Sequence, residues 1–300
     1  MKKMKYIFVL LLLVVLSCTH EEDKECHEVF ISFNPVIQNN TRAVSRNAYP
    51  VEDSFGVWAY SLPTSCLWER DSSSSTLFMD NETVSYYSGS WLPSVNYRWT
   101  SDTALTFFAY SPAWIHASFS LKNGITIADY DMNKEIDIMF TRPVADNTNL
   151  FNDGCVSLLF VSPFSQVSIN VCSRVLLGCT LHLKKIYIDE VAYKGTFHSQ
   201  PIERWITTDD KTSCILFDGD VEVGKDYIDI GTFNMMPQCL NQPIKLVVDI
   251  YDQYGELMIA DRTLDSSVIA KPWKVGKSYH YSLQVYTDNV TFITDILDDL

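Results

Sequence analysis

The chain has 300 residues, 47% of them hydrophobic and 13% aromatic. Acidic residues outnumber basic ones 37 to 23, a formal charge of −14. That balance excludes nucleic acid as a partner, because binding a phosphate backbone needs clustered Lys and Arg.

Residues 1–17 read as a signal peptide. Lys2, Lys3 and Lys5 make a basic start, and Tyr6 to Leu16 is unbroken apolar sequence. That run is too short for a membrane-spanning helix of ~20 residues and fits the core of a signal peptide. Val15-Leu16-Ser17-Cys18 places a cysteine directly after a small residue, the arrangement a lipoprotein signal peptidase needs. Cys18 is therefore the expected lipidation site, its palmitate-type chains holding the protein to the outer membrane at the cell surface. An ordinary secretory signal with an incidental cysteine is the alternative. At ~0.8 kcal/mol per buried CH₂, two acyl chains anchor stably. Residues 18–28 are polar and mostly acidic and read as a tether.

Beyond the tether there is little helical periodicity. Short runs rich in Val, Ile, Phe, Tyr and Thr are separated by Gly, Pro, Asn, Asp and Ser clusters, the pattern of an all-β sandwich. Strands are expected at Val29 to Phe33, Phe55 to Ser61, Leu105 to Tyr110, Val156 to Phe160, Val167 to Val171, Leu181 to Ile188, Ile244 to Tyr251 and Tyr279 to Tyr286. In the sixth run Leu181 and Leu183 share one parity and Ile186 and Ile188 the other. A strand keeps one buried face only if an extra residue intervenes, so a bulge is expected near Lys184-Lys185. Ser72 to Ser75 reads as a solvated loop. The length suggests two domains, and the polar stretch Asp146 to Asp153 marks their boundary, giving 29–153 and 154–300. The tryptophans 58, 91, 99, 114, 205 and 273 are expected in cores.

Eight cysteines less Cys18 leave seven, an odd number that cannot pair completely within one chain. Cys172 and Cys179 flank the turn at Leu177-Gly178 and are the candidates for a local disulfide. No C-x-x-C, H-E-x-x-H, G-x-S-x-G or phosphate-binding glycine loop occurs, and the six His are scattered. No catalytic residue, metal or cofactor is expected, and Asp209-Asp210 and Asp298-Asp299 read as solvated pairs.

ISFNPVIQNNTRA, FGVWAYS, SGSWLPSVNYRWTSDTALTFFAYSP, MMPQ and PWKVGKSYHYSL, in that order along the chain, together resemble the fimbrillin family, subunits of type V pili. ISFNPVIQNNTRA, Ile31 to Ala43, resembles the family's first strand and its Thr-Arg-Ala signature. FGVWAYS, Phe55 to Ser61, is similar to the next strand. SGSWLPSVNYRWTSDTALTFFAYSP, Ser88 to Pro112, MMPQ, Met235 to Gln238, and PWKVGKSYHYSL, Pro272 to Leu283, resemble later signatures in the same order. VSLLFVSPFSQVSI, Val156 to Ile169, matches the domain-opening strand, with Ser162 where His is common. The resemblance implies two tandem transthyretin-like β-sandwiches, export as a lipoprotein, and cleavage after an arginine that releases the first strand. A strand of another pilus subunit then fills the vacated groove by β-augmentation. The strand to be lost is Val29 to Ile37, with Val29, Ile31 and Phe33 on one face and Phe30, Ser32 and Asn34 on the other; Val36 and Ile37 complete its apolar set. Arg42 is the expected cleavage site, Arg46 the alternative. In the C-terminal Thr287 to Leu300, the alternation of Val290 and Phe292 breaks at Ile293, so Asn289 to Ile293 reads as an internal edge strand. That favours a tip or accessory subunit over one that donates its own tail. Adhesion to a host or microbial surface ligand is the implied role, and a glycan-binding surface lipoprotein is the competing one.

Overall fold

A computed structural model describes residues 29–39, 45–100, 103–146 and 154–297. The chain is built almost wholly of strands. In the first part these are β1 Ser32–Asn39, β2 Ser45–Ala48, β3 Ser54–Pro63, β4 Thr76–Tyr87, β5 Ser90–Pro93, β6 Thr103–Ser111, β7 Ala117–Ser120, β8 Gly124–Asp131, β9 Met139–Thr141, β10 Val144–Asp146 and β11 Cys155–Val161. The rest holds β12 Ser165–Ser173, β13 Thr180–Ala192, β14 Lys194–His198, β15 Arg204–Thr207, β16 Lys211–Val223, β17 Ile228–Met235, β18 Pro243–Tyr251, β19 Leu257–Val268, β20 Ser278–Val285 and β21 Val290–Leu297. Seven of the eight expected strands are present, the first begins at Ser32 rather than Val29 and runs on to Asn39, and Ser72–Ser74 winds into one 3₁₀ turn.

The first large sheet runs β10-β6-β3-β4-β5-β1-β11-β9, and β9 also pairs back to β6. Met139 and Phe140 pair with Ser111 and Tyr110 on β6, while Phe140 and Thr141 pair with Val161 and Phe160 on β11. A three-residue strand thus closes the sheet into a barrel, and closure removes the exposed edges an open sheet would carry. Alternate residues point inward. Phe55, Val57 and Ala59 from β3, Leu105, Phe107 and Ala109 from β6, and Val156, Leu158 and Phe160 from β11 fill the interior. Phe55 packs edge-to-face on Phe160 at 5.3 Å between ring centres, a geometry the aromatic quadrupole favours.

The opposite parity of the same strands makes a second core on the barrel's outside. Trp58, Phe108 and Tyr110 face the four-stranded sheet β15-β14-β8-β7, which supplies Ile125, Ile127 and Phe197. This explains why β6 reads as a continuous apolar run: Leu105 to Tyr110 is covered on both faces.

The remaining strands form a sandwich of two four-stranded sheets, β17-β12-β20-β21 and β16-β13-β18-β19. Val167, Ile169 and Val171 face Leu181, Leu183, Ile186 and Ile188 across it. On β13 the pairing slips between Leu183 and Lys185 against both neighbours. The bulge expected there is what lets all four apolar residues stay buried.

Two expectations are corrected. The strand expected to open the second half closes the first: β11 pairs in parallel with β1 and antiparallel with β9, and its apolar residues fill the barrel. The hairpin β14–β15 likewise pairs with β8. The boundary after Asp153 therefore falls within one hydrogen-bonded body. The buried parity Val156-Leu158-Phe160, rather than the polar approach to the strand, decides which core it joins. The Cys172–Cys179 disulfide is also absent. Cys172 points to the face of β12 opposite Val171, whereas Cys179 packs against the sandwich core, so the two thiols lie on different sides.

Burial raises the phenol pKa of Tyr49 and of Tyr281, each to about 12. Tyr49 bonds Ser111 Oγ at 2.6 Å, and Tyr281 accepts from the Trp273 indole at 3.0 Å. A folded pKa above the unfolded one means stability present below pH ~10 and lost as pH rises from ~10 towards 12. Tyr49→Phe and Tyr281→Phe are expected to flatten that alkaline loss, read as the change in urea midpoint between pH 8 and pH 11.

Candidate functional site

Strand β1 is the stave that completes the barrel. On one side it runs parallel to β11 from Ser32–Cys155 to Ile37–Phe160. On the other the chain is held by a patchwork of short contacts. Ile31 N–H donates to Tyr97 O and Trp99 N–H to Val29 O, both at 2.9 Å. Phe33 pairs with Trp91, and β2 covers Val36 to Asn39. Gly154 seals the start of β11. Its carbonyl accepts from Ser32 N–H at 3.0 Å and from the Trp99 indole at 3.1 Å. A Cβ at Gly154 would sit 2.2 Å from Phe30 O, and its φ of +75° also demands glycine.

Ile31 and Phe33 are 1% and 3% exposed, Pro35 is buried, and Ile37 is half-buried against the same core. The Phe33 ring meets Phe55 at 6.0 Å and Phe107 at 5.8 Å, both edge-to-face. The other face is open. Phe30 is exposed under the Arg98 guanidinium at 5.6 Å, Asn34 is exposed, and Ser32 and Val36 are half-buried. A barrel stave has one interior, and only one parity of the strand enters it. At about 1.5–3 kcal/mol for each large apolar side chain, an emptied seat is strongly unfavourable, so β1 stays put unless another strand takes its place.

Of the two arginines, Arg46 lies on β2 in register with Gln38. Proteases take their substrates as free extended chain, so a ladder position resists cutting. Arg42 and Cys18 lie outside the described residues.

The tail is longer and more regular than expected. β21 pairs with β20 over its whole length, from Val285–Val290 to Ser278–Leu297. Val290 is buried, and Phe292 and Ile296 pack on the sandwich core, while Ile293 points outward, 58% exposed. The apparent break at Ile293 is an outward residue of an unbroken alternation, Val290-Phe292-Thr294-Ile296. That order shares an aliphatic-aromatic-x-aliphatic spacing with the inward set of β1, Ile31-Phe33-Pro35-Ile37, with Thr294 standing where β1 has Pro35. No single-strand reading found this, because both faces of the tail carry an isoleucine; the partner strand's pattern is the signal.

Among the described residues, no other constellation converges. A cleft of about 1200 Å³ is lined by Arg142, Arg204, Lys274 and Trp205 among others. Two of its cations are engaged: Arg142 with Glu203 at 2.7 Å, and Arg204 with the carbonyls of Gln200 and Ile202. Burial pushes the Cys214 thiol up, away from its reactive form. Among the described residues, no group of three or more His, Cys, Asp or Glu is placed to hold a metal.

The tryptophans divide unevenly. Trp58, Trp68, Trp91 and Trp273 are buried, and Trp99 and Trp205 half-buried. Trp114 is 70% exposed, which corrects its expected core placement.

A fimbrillin-like family model matches residues 41–296. No curated protein matches. Among solved structures, a fimbrial protein from Bacteroides vulgatus is similar at 17% identity, with 90% of this chain and 99% of that one covered and a TM-score of 0.65. Cell adhesion proteins from Bacteroides uniformis and Bacteroides ovatus are similar at 14% identity each. They give TM-scores of 0.52 and 0.51, with 90% and 91% of this chain and 98% of each of those covered. At such identities the structures speak for the fold alone. The family model spans most of the chain, from the linker after β1 to the tail strand, and on that ground the chain belongs to the fimbrillin-like family.

Proposed function

We propose that this protein is a surface lipoprotein subunit of a type V pilus, assembled by protease-triggered strand exchange, with adhesion as its role. The observation that carries this reading is β1: a strand whose apolar face completes a barrel and whose ladder on one side is short and discontinuous. Cutting the linker after it would leave β1 held by non-covalent contacts alone. The vacated seat would then offer unpaired backbone groups along β11 and four apolar sockets.

A structural subunit must both accept a strand and donate one. The tail supports donation. In its own sandwich β21 is an edge strand with a single neighbour, β20. In the seat of β1 it would have neighbours on both sides, so exchange adds a second ladder. Asp295 is exposed, with the parity that points away from the core, so it need not be buried on transfer. A tip or accessory position had rested on a broken alternation, and the regular one favours the stalk. The competing function, glycan binding, is compatible with either position.

Three outcomes test this. Cys18→Ala is expected to abolish palmitate labelling and release the protein from membranes; persistent labelling would contradict lipidation. Treatment with an Arg-specific protease should leave a folded body whose N-terminal sequence begins at Ala43, with Arg46 intact in its ladder. Finally, a peptide of Val290 to Leu297 added to the trimmed body should displace β1 and raise its thermal midpoint. The same peptide with Phe292 and Ile293 exchanged should do neither. Equal binding of both peptides would mean that the alternation does not select the donor.

A further inference from the structure

The outer face of the barrel carries one surface that strand exchange does not use. Ser54 on β3 lies in register with Ser85 on β4, and Gly56 with Thr83 and Tyr110. Thr83, Ser85 and Tyr87 follow one another at alternate positions of β4, all exposed, with Tyr87 at 74%. Across them stands the turn that carries Trp114. Ala113 N–H donates to Ser54 O at 2.9 Å, and Ile115 N–H to Pro112 O at 3.1 Å. The Tyr110 ring fills the space above Gly56, where a Cβ would sit 2.1 Å from it. From there its hydroxyl reaches Asn81 Oδ1 at 2.9 Å and Ala113 O at 3.3 Å. The turn is therefore pinned from below and from both ends, and Trp114 is displayed from it in the open. The neighbouring Pro50–Asp53 turn is closed by Asp53 N–H on Pro50 O and adds exposed Val51, Glu52 and Asp53.

Placing a large indole in water on a rigid turn forgoes the burial that the other six tryptophans achieve wholly or in part, and exposed apolar patches mark interaction sites. The surroundings define the ligand. Trp114 and Tyr87 offer flat apolar rings, the strip between them offers the hydroxyls of Thr83 and Ser85, and Glu52 and Asp53 offer acceptors. A pyranose has the complementary make-up: an apolar C–H face that packs on a ring and a rim of hydroxyls that donate and accept. The two carboxylates, on a chain of net charge −14, disfavour acidic sugars. We propose that Trp114, Tyr87 and the Thr83–Ser85 strip form a binding site for a neutral glycan.

The site does not depend on strand exchange, so its test is separate from assembly. The full mature chain is run in native gels containing soluble neutral polysaccharide of glucose, mannose or xylose backbone, with polygalacturonate as the acidic comparison. Retardation by at least one neutral polymer and not by polygalacturonate is expected. Trp114→Ala and Tyr87→Ala should each weaken it at least tenfold while leaving the thermal midpoint within about a degree. No retardation by any neutral polymer would overturn the proposal. So would retardation that both variants retain, or retardation by polygalacturonate alone.

Discussion

Closure of the barrel by β9 is the constraint on which the rest depends. A strand of three residues bonds β6 with one end and β11 with the other, and this fixes the distance between them. The gap left on the far side of β11 is then one strand wide, and β1 occupies it. Because the ring is complete, each inward residue of β1 meets side chains from across the barrel: Phe33 touches rings from both β3 and β6. A single strand thus plugs a cavity lined by several others. Emptying that cavity would leave four inward side chains' worth of apolar surface uncovered. Outside that interior the barrel surface is under no such constraint, and Trp114 stands exposed on it.

Much of this architecture was legible in the sequence, and the misses have physical causes. Strands with one continuous or alternating apolar pattern, such as Leu105 to Tyr110 and Leu181 to Ile188, could be read directly, the second even to its bulge. Strands β4, β16 and β19 could not. Their residues are largely exposed, so burial imposed little pattern on them, and they are held in place by neighbours that did read clearly. The interleaving of the two halves was equally hidden. Phe197 and Trp205 announce burial, but nothing local says that the body they pack against was laid down 70 residues earlier.

Strands β1 and β21 illustrate the limit from the other direction. Val29 to Ile37 was recognisable as apolar, yet which parity enters the barrel follows from closure, and closure follows from β9, too short to stand out. The tail looked irregular because Ile293 is apolar and exposed. Only a partner strand shows that Val290, Phe292 and Ile296 share one face.

The crossing pattern of the chain has a mechanical consequence. The polypeptide passes from barrel to sandwich between β11 and β12, returns to build β14 and β15 beside β8, and leaves again to form β16. Phe164 and Met236 from the sandwich side lie in the same core as Trp58 and Phe108. The two bodies are thus joined by three covalent passages and a shared apolar seam, not by a single linker. A pull applied to one end would be carried along parallel load paths, and bending would have to open the seam. In a filament, such a subunit would behave as a stiff link, leaving compliance to the joints between subunits.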